Sequence, residues 1–182
     1  MKSIIPFVIF SFFITFNINA RNNTGKIDSV EVIKDFRNLY RYHDFYIAGQ
    51  PTLEELQWLR YQGVNIIINL RTENENTEFS ESAYNEKIIA QKLGFEYYSL
   101  PVGGDYDYTP EKLDAFASLI NKDDKILIHC LSAGRATTFF MAYLIKNKGY
   151  TINKATDIGR NLRFSFPLEM LLDAKISMEI IK

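Results

Sequence analysis

The stretch Lys125–Thr138, K-I-L-I-H-C-L-S-A-G-R-A-T-T, constrains this chain more than any other. Ile126–Ile128 is a short apolar run that predicts a buried strand, and Thr137–Lys146 carries apolar residues at helical spacing. A strand that gives way to a helix so quickly needs a tight turn, and the small residues Ser132, Ala133 and Gly134 supply it. Successive backbone N–H groups then ring a hollow at the positive end of a helix, which is a place for an anion.

The one cysteine of the chain, Cys130, stands at the edge of that hollow, and Arg135 follows five positions on. Helix-end amides and a guanidinium both favour a thiolate, so Cys130 is expected as a nucleophile. An oxyanion held by the amides of Leu131, Ser132, Ala133 and Gly134 and clamped by Arg135 would present its central atom to the Cys130 sulfur. Phosphoryl transfer through a phosphocysteine fits this arrangement. A buried structural cysteine at a strand end is the plain alternative.

The chain has 182 residues, enough for one domain with a single core, and its 47% hydrophobic and 24% charged content is that of a globular protein. Residues 1–20 stand apart: Lys2, an apolar stretch from Ile4 to Phe16 and Ala20 before a polar segment read as a secretory signal. Cleavage after Ala20 leaves 20 basic against 22 acidic residues, a formal charge of −2. That balance points to neither nucleic acid nor stable membrane association. Export to the periplasm or beyond normally goes with paired cysteines, and Cys130 has no partner in its own chain.

Residues 21–35 read as a tail and 36–182 as the domain. Val30–Tyr40 is open between a helix and irregular packing. Phe45–Ala48 is a strand, and Thr52-Leu-Glu-Glu55 is a capping box before Leu53, Leu56 and Leu59 at helical spacing, with Gly63 ending that helix. Val64–Leu70 predicts a central strand, Thr72–Glu78 a loop, and Ser80–Leu93 a helix with Tyr84, Ile88, Ile89 and Leu93 inward. Phe95–Leu100 is a further strand. Residues 101–110 form a glycine-containing loop, and Thr109-Pro110 starts a helix with Leu113, Phe116 and Ile120 inward. Thr151–Leu162 and Pro167–Ile181 are the last helices. This alternation predicts a single α/β domain with a mostly parallel sheet flanked by helices.

The H-C-x-x-x-G-R run resembles the signature loop of the cysteine-dependent protein tyrosine and dual-specificity phosphatases, although four residues rather than five lie between Cys130 and Arg135. The shorter loop is similar to that of the DUF442, beta-lactamase-hydrolase-like phosphatase group, and also to the loop of rhodanese sulfurtransferases. F-Y-I-A-G-Q-P-T-L-E-E-L and G-V-N-I-I-I-N-L-R, within Phe45–Arg71, resemble the opening of the DUF442 domains. The resemblance implies a dual-specificity-phosphatase-like fold, a phosphorylated small molecule or protein as substrate, and no cofactor or metal.

It also implies a general-acid aspartate on the loop after the strand Phe95–Leu100. Asp105 follows Gly103-Gly104 directly and is preferred to Asp107; two solvated loop aspartates are the alternative. His129 is expected either to tune the thiol or to be a satisfied core histidine, and Arg71 either to add positive charge or to pair with Glu73 or Glu75 at the surface. The family has Ser or Thr after the arginine, where this chain has Ala136, leaving Ser132 or Thr137 to assist hydrolysis of the phosphocysteine. Arg160 and Arg163 are candidates for the border of the site. Two further readings stay open: sulfur transfer through a Cys130 persulfide, and an inactive module that binds phosphate.

Overall fold

The computed structural model describes residues 29–78, 85–162 and 168–176. The expected signal, residues 1–20, lies outside these, as do Tyr84 and Arg163; the last expected helix, Pro167–Ile181, is shorter than expected, ending at Leu172, where Asp173 takes a left-handed φ of +48°. Among the described residues no helix is long and apolar enough to cross a membrane.

Six strands form one sheet: β1 (Glu31–Val32), β2 (Leu39–Tyr42), β3 (Phe45–Ala48), β4 (Ile66–Asn69), β5 (Glu96–Ser99) and β6 (Ile126–His129), in the order β1-β2-β3-β6-β4-β5. The contacts among β3, β6, β4 and β5 are parallel, while β1 and β2 add an antiparallel edge. The strands β1 and β2 replace the helix or irregular packing expected over Val30–Tyr40, and β1 falls in the stretch read as a tail. Their alternation is too short to show as a periodic pattern, and pairing with β3 decides the conformation.

Period-two alternation splits the apolar side chains of the central strands between two faces. Ile47, Ile66, Ile68, Ile126 and Ile128 pack under α4 (Pro110–Ser118), α5 (Gly134–Lys148), α6 (Ile152–Arg160) and α7 (Leu168–Leu172), against Phe116, Phe139, Phe140 and Leu171. Tyr46, Ala48, Ile67 and Leu127 face α1 (Leu53–Tyr61) and α3 (Glu86–Lys92), against Leu56, Leu59 and Ala90. The capping box of α1 forms as expected: Thr52 Oγ1 accepts from Glu55 N–H at 3.1 Å, and Thr52 N–H donates to Glu55 Oε2 at 2.6 Å. Gly63 follows with φ +84°, a left-handed turn that suits glycine.

Three further expectations change. Residues 73–78 are a helix, α2 (Glu73–Glu78), rather than a loop. In α3 Ile88 points outward, 49% exposed, while Glu86 and Ala90 are buried. The helix after the cysteine begins at Gly134, three residues before Thr137, because Ala133 takes a left-handed φ of +72° that completes the turn early.

The register of the parallel strands decides where the site lies. Ala48 aligns with His129, His129 with Asn69, and Asn69 with Ser99, so four strands end in one row. The loops that follow therefore converge on one edge, the usual ligand edge of such sheets.

The seat of α6 on α5 is tight. A Cβ at Gly159 would stand 2.2 Å from Met141 Sδ, which is itself fully buried. Gly159→Ala is expected to lower stability by about 1–3 kcal/mol through overpacking, read as a lower urea midpoint, with part recovered when Met141 is also shortened to Ala. An unchanged midpoint in the single variant would contradict this packing.

Candidate active site

At the end of β6 the chain leaves the sheet as Cys130, which is 1% exposed and donates its N–H to Ala48 O at 3.3 Å. The β3 loop grips the segment that follows. Gln50 N–H donates to Leu131 O at 3.1 Å, and Gly49 forms an isolated antiparallel bridge with Ser132. A Cβ on Gly49 would meet Leu131 O at 3.1 Å, which accounts for a glycine at this close approach.

Among the described residues, no backbone N–H of residues 131, 134, 135 or 136 donates to a carbonyl outside the helix, while the Gly49–Ser132 bridge ties one N–H of the turn at 132–133 to the β3 loop. The helices α1, α3, α4 and α6 each have a side-chain N-cap, from Thr52, Asn85, Thr109 and Thr151; at α5 the cap position is Ala133, which offers none. These donors, at the positive end of a fifteen-residue helix, suit an oxyanion. Leu131, Ser132, Ala133 and Gly134 make up the turn between β6 and α5.

Arg135 sits beside this ring and is held from behind. Nη2 and Nη1 donate to Glu75 Oε1 and Oε2 at 2.6 and 2.7 Å, a two-point pair, and Nη1 also reaches Val102 O at 2.6 Å and Leu70 O at 3.3 Å. A guanidinium has five N–H donors on two usable edges. Glu75 and the carbonyls take one edge, leaving Nε–H and one Nη2–H for an oxyanion. Burial works against the Arg135 charge, but Glu75 and the adjacent Cys130 sulfur outweigh it and hold its pKa above the ordinary value. Burial alone would likewise raise Glu75, yet Arg135 and Thr72 hold it below the usual carboxylate range.

Glu75 escaped the sequence reading except as a partner for Arg71. It closes a second capping box, since Glu75 N–H donates to Thr72 Oγ1 at 3.2 Å and Thr72 N–H to Glu75 Oε2 at 2.8 Å. The T-E-N-E spacing, the same as Thr52–Glu55, was the available signal. Arg71 itself is neither a rim cation nor a surface arginine. It is 3% exposed, bonds Gln50 Oε1 at 2.5 Å through Nη1, and turns Nη2 to the main-chain carbonyl of Glu75. His129 is fully buried with Nε2 2.7 Å from Glu86 Oε1.

The glycine loop separates the two aspartates. Asp107 accepts from Gly103 N–H at 2.7 Å and from Lys112 Nζ at 2.5 Å, and Lys112 also bonds Pro101 O at 2.7 Å, so Asp107 staples the loop. Burial would raise its pKa, but Lys112 and the Gly103 N–H hold it low, which keeps it a carboxylate. Asp105 opens a short 3₁₀ turn (Asp105–Asp107), is exposed, and has no side-chain hydrogen bond among the described residues. Tyr108 is 7% exposed and within electrostatic reach of Arg135, Cys130 and Asp105; burial pushes its hydroxyl pKa up.

Ala136 is fully buried, and Thr137 Oγ1 donates to Ala133 O at 2.9 Å. The Thr137 proton is therefore committed to its own helix, which leaves Ser132 as the exposed hydroxyl of the loop. Arg160 is exposed and pairs with Asp157 at 3.3 Å.

Residues 20–166 match the sequence model of a family described as DSP-PTPase phosphatase fused to NAD+ kinase. A search of curated proteins found none that matches. Among solved structures, the chain resembles a DUF442 protein from Shewanella putrefaciens CN-32, at 20% identity and a TM-score of 0.57 over 77% of this chain and 91% of that one. It also resembles PTPMT1, solved in complex with PI(5)P, at 18% identity and 0.56 over 71% and 88%. A third is the kinase-associated phosphatase, solved with its catalytic-site cysteine replaced by serine, at 17% identity and 0.54 over 65% and 75%. At these identities the structural likeness is one of fold.

A pH dependence follows from Glu75. Its folded pKa lies below its unfolded one, so its stabilising contribution is present above the ordinary glutamate value of about 4.3 and is lost as pH falls through the folded value. Glu75→Gln is expected to lower the urea midpoint at pH 7 more than at a pH acidic enough to protonate Glu75 in the folded state, where both side chains are neutral. An equal gap at both pH values would show that the charge of Glu75 contributes nothing.

Proposed function

The chain belongs to the DSP-PTPase phosphatase family, and from that premise we propose that it hydrolyses phosphate monoesters through a phosphocysteine on Cys130. The observation that carries the proposal is the set of N–H groups at the start of α5 beside the open edge of Arg135. These donors suit the three equatorial oxygens of a transferring phosphoryl group, where charge accumulates.

In the first step the Cys130 thiolate attacks phosphorus; an S–P bond forms, the P–O bond to the leaving group breaks, and Asp105 gives its proton to the leaving oxygen. In the second step water attacks phosphorus, its proton passes to Asp105, the S–P bond breaks, and inorganic phosphate leaves. Asp107, tied to Lys112, is a poor choice for the acid because it stays ionised. Phosphotyrosine is among the substrates proposed. Tyr106, 80% exposed beside Asp105, and Leu131, 42% exposed in the signature loop, favour an aromatic leaving group, and acidic Glu73 and Asp105 disfavour a polyphosphorylated one.

A second reading, a module that binds phosphate without turnover, draws on the commitment of the Thr137 hydroxyl to Ala133 and on Ala136. We also propose that residues 1–20 direct export, on the lysine, apolar stretch and Ala20 of that segment. A secreted form beginning at Arg21 by mass spectrometry supports this; an intact Met1 terminus in the cytoplasm refutes it.

The deciding assay sets wild type, Cys130→Ser and Asp105→Asn side by side under reducing conditions. Cys130→Ser is expected to abolish phosphate release from p-nitrophenyl phosphate. Asp105→Asn should lose about 10²- to 10⁴-fold on alkyl phosphates and far less on p-nitrophenyl phosphate, whose leaving group needs no proton. Release that survives Cys130→Ser would overturn the mechanism. Thiocyanate from thiosulfate and cyanide in place of phosphate release would make the enzyme a sulfurtransferase, and phosphate binding without either would favour the module.

A further inference from the structure

Behind the signature loop lies a connected set of polar side chains that the reaction above does not use. His129 Nε2 stands 2.7 Å from Glu86 Oε1. Glu86 Oε2 accepts from Gln50 Nε2 at 2.6 Å. The same Gln50 amide accepts at Oε1 from Arg71 Nη1 at 2.5 Å, and Arg71 reaches on to the main-chain carbonyl of Glu75. The Glu75 carboxylate holds Arg135. The contacts thus run from the residue before Cys130 to the arginine five positions after it, through the ends of β3 and β4 and through α2 and α3. Gln50 touches the loop directly as well, through its N–H on Leu131 O.

Burying such groups is costly, and replacing a buried ionic set by apolar residues is often neutral or stabilising. Stability alone therefore does not explain Arg71 at 3% and Glu86 at 8% exposure. Direction does. Arg71 can only donate and ionised Glu86 can only accept, so the Gln50 amide, with one acceptor and one donor end, fits between them in a single orientation. We propose that Gln50, Arg71 and Glu86 form a positioning circuit for the signature loop, with Gln50 as the junction that registers Cys130 against Arg135. The inference rests on the proposed function only in that the loop grips a phosphoryl group.

Gln50→Glu tests the junction. It is isosteric and keeps the acceptor toward Arg71, but sets a second carboxylate against Glu86. The exchange variant Gln50→Glu/Glu86→Gln restores a donor–acceptor pair with reversed polarity at unchanged net charge. Two readouts on the full chain are needed: kcat and KM for p-nitrophenyl phosphate, and protection of Cys130 from iodoacetamide by inorganic phosphate, which reports the loop without turnover.

Gln50→Glu is expected to lower kcat about 10- to 100-fold, the scale of a misplaced reacting group, and to raise the phosphate concentration needed for protection. The exchange variant should recover most of both. A group that only stabilises the fold would move the melting temperature without this reciprocal recovery. Wild-type values in Gln50→Glu, or an exchange variant no better than it, overturn the circuit. If Gln50→Glu does not fold, the exchange variant decides: folded and protected by phosphate it supports the circuit, and unfolded it overturns it. A wild type that phosphate protects but that releases none from substrate ends the phosphatase reading and leaves the circuit to be judged by protection. A wild type that phosphate does not protect overturns both.

Discussion

Parallel pairing of β6 with β3 on one side and β4 on the other determines where every group at the candidate site stands. Because Ala48, His129 and Asn69 share one row, the three following segments leave the sheet at the same height. Gly49-Gln50 can then reach the carbonyl of Leu131, and residues 70–75 can reach Arg135. A slip of one residue in β6 would turn Cys130 to the other face and would also exchange Ile126 and Ile128 with Leu127 between the two cores. Register, core and the position of Cys130 are therefore one constraint.

The electrostatics of the edge divide the labour of a single guanidinium. An arginine facing only an anion site would be free to swing, and ordering it would cost side-chain entropy on each binding event. Glu75 holds one edge of Arg135 in advance and leaves the other open. A carboxylate this near an anion site weakens the local positive field, yet the backbone donors at the start of α5 do not depend on it. The site is thus built from oriented dipoles and one half-occupied arginine rather than from net positive charge, in keeping with a chain whose formal charge is −1.

The loop carrying Asp105 follows the same division. Asp107 and Lys112 tether its far side to Gly103 and Pro101, and Tyr106 folds back over Gly103 and Gly104, where a Cβ at Gly104 would meet its ring at 2.9 Å. Asp105 is left outward on a short 3₁₀ turn. One aspartate stabilises the loop and the other is presented to solvent. In the sequence only the place of Asp105 directly after Gly103-Gly104 separates them; in the structure the contact of Asp107 with Lys112, five residues on and in another element, does.

Legibility followed the range of the interaction. Thr52–Glu55, Thr109-Pro110 and Thr151 acted as helix starts because caps are local, and the strands of Ile and Leu were readable because burial on both faces leaves a plain apolar run. The pattern around Cys130 and Arg135 was readable because a strand, a turn and a helix start are contiguous in the chain. The inward face of α3 was not: Ile88 is outward and Glu86 inward because a histidine on β6 faces that position. Nor was α2, whose E-N-E-N-T-E has no apolar stripe and is held by the Thr72 cap and by Arg135. By itself the sequence determined the α/β class and the strand, turn and helix start that carry Cys130 and Arg135, all products of local propensity and burial. Only the tertiary structure decided which carboxylate holds Arg135, which aspartate faces outward and that Arg71 is buried, because each depends on long-range contacts with partners that have no fixed spacing along the chain.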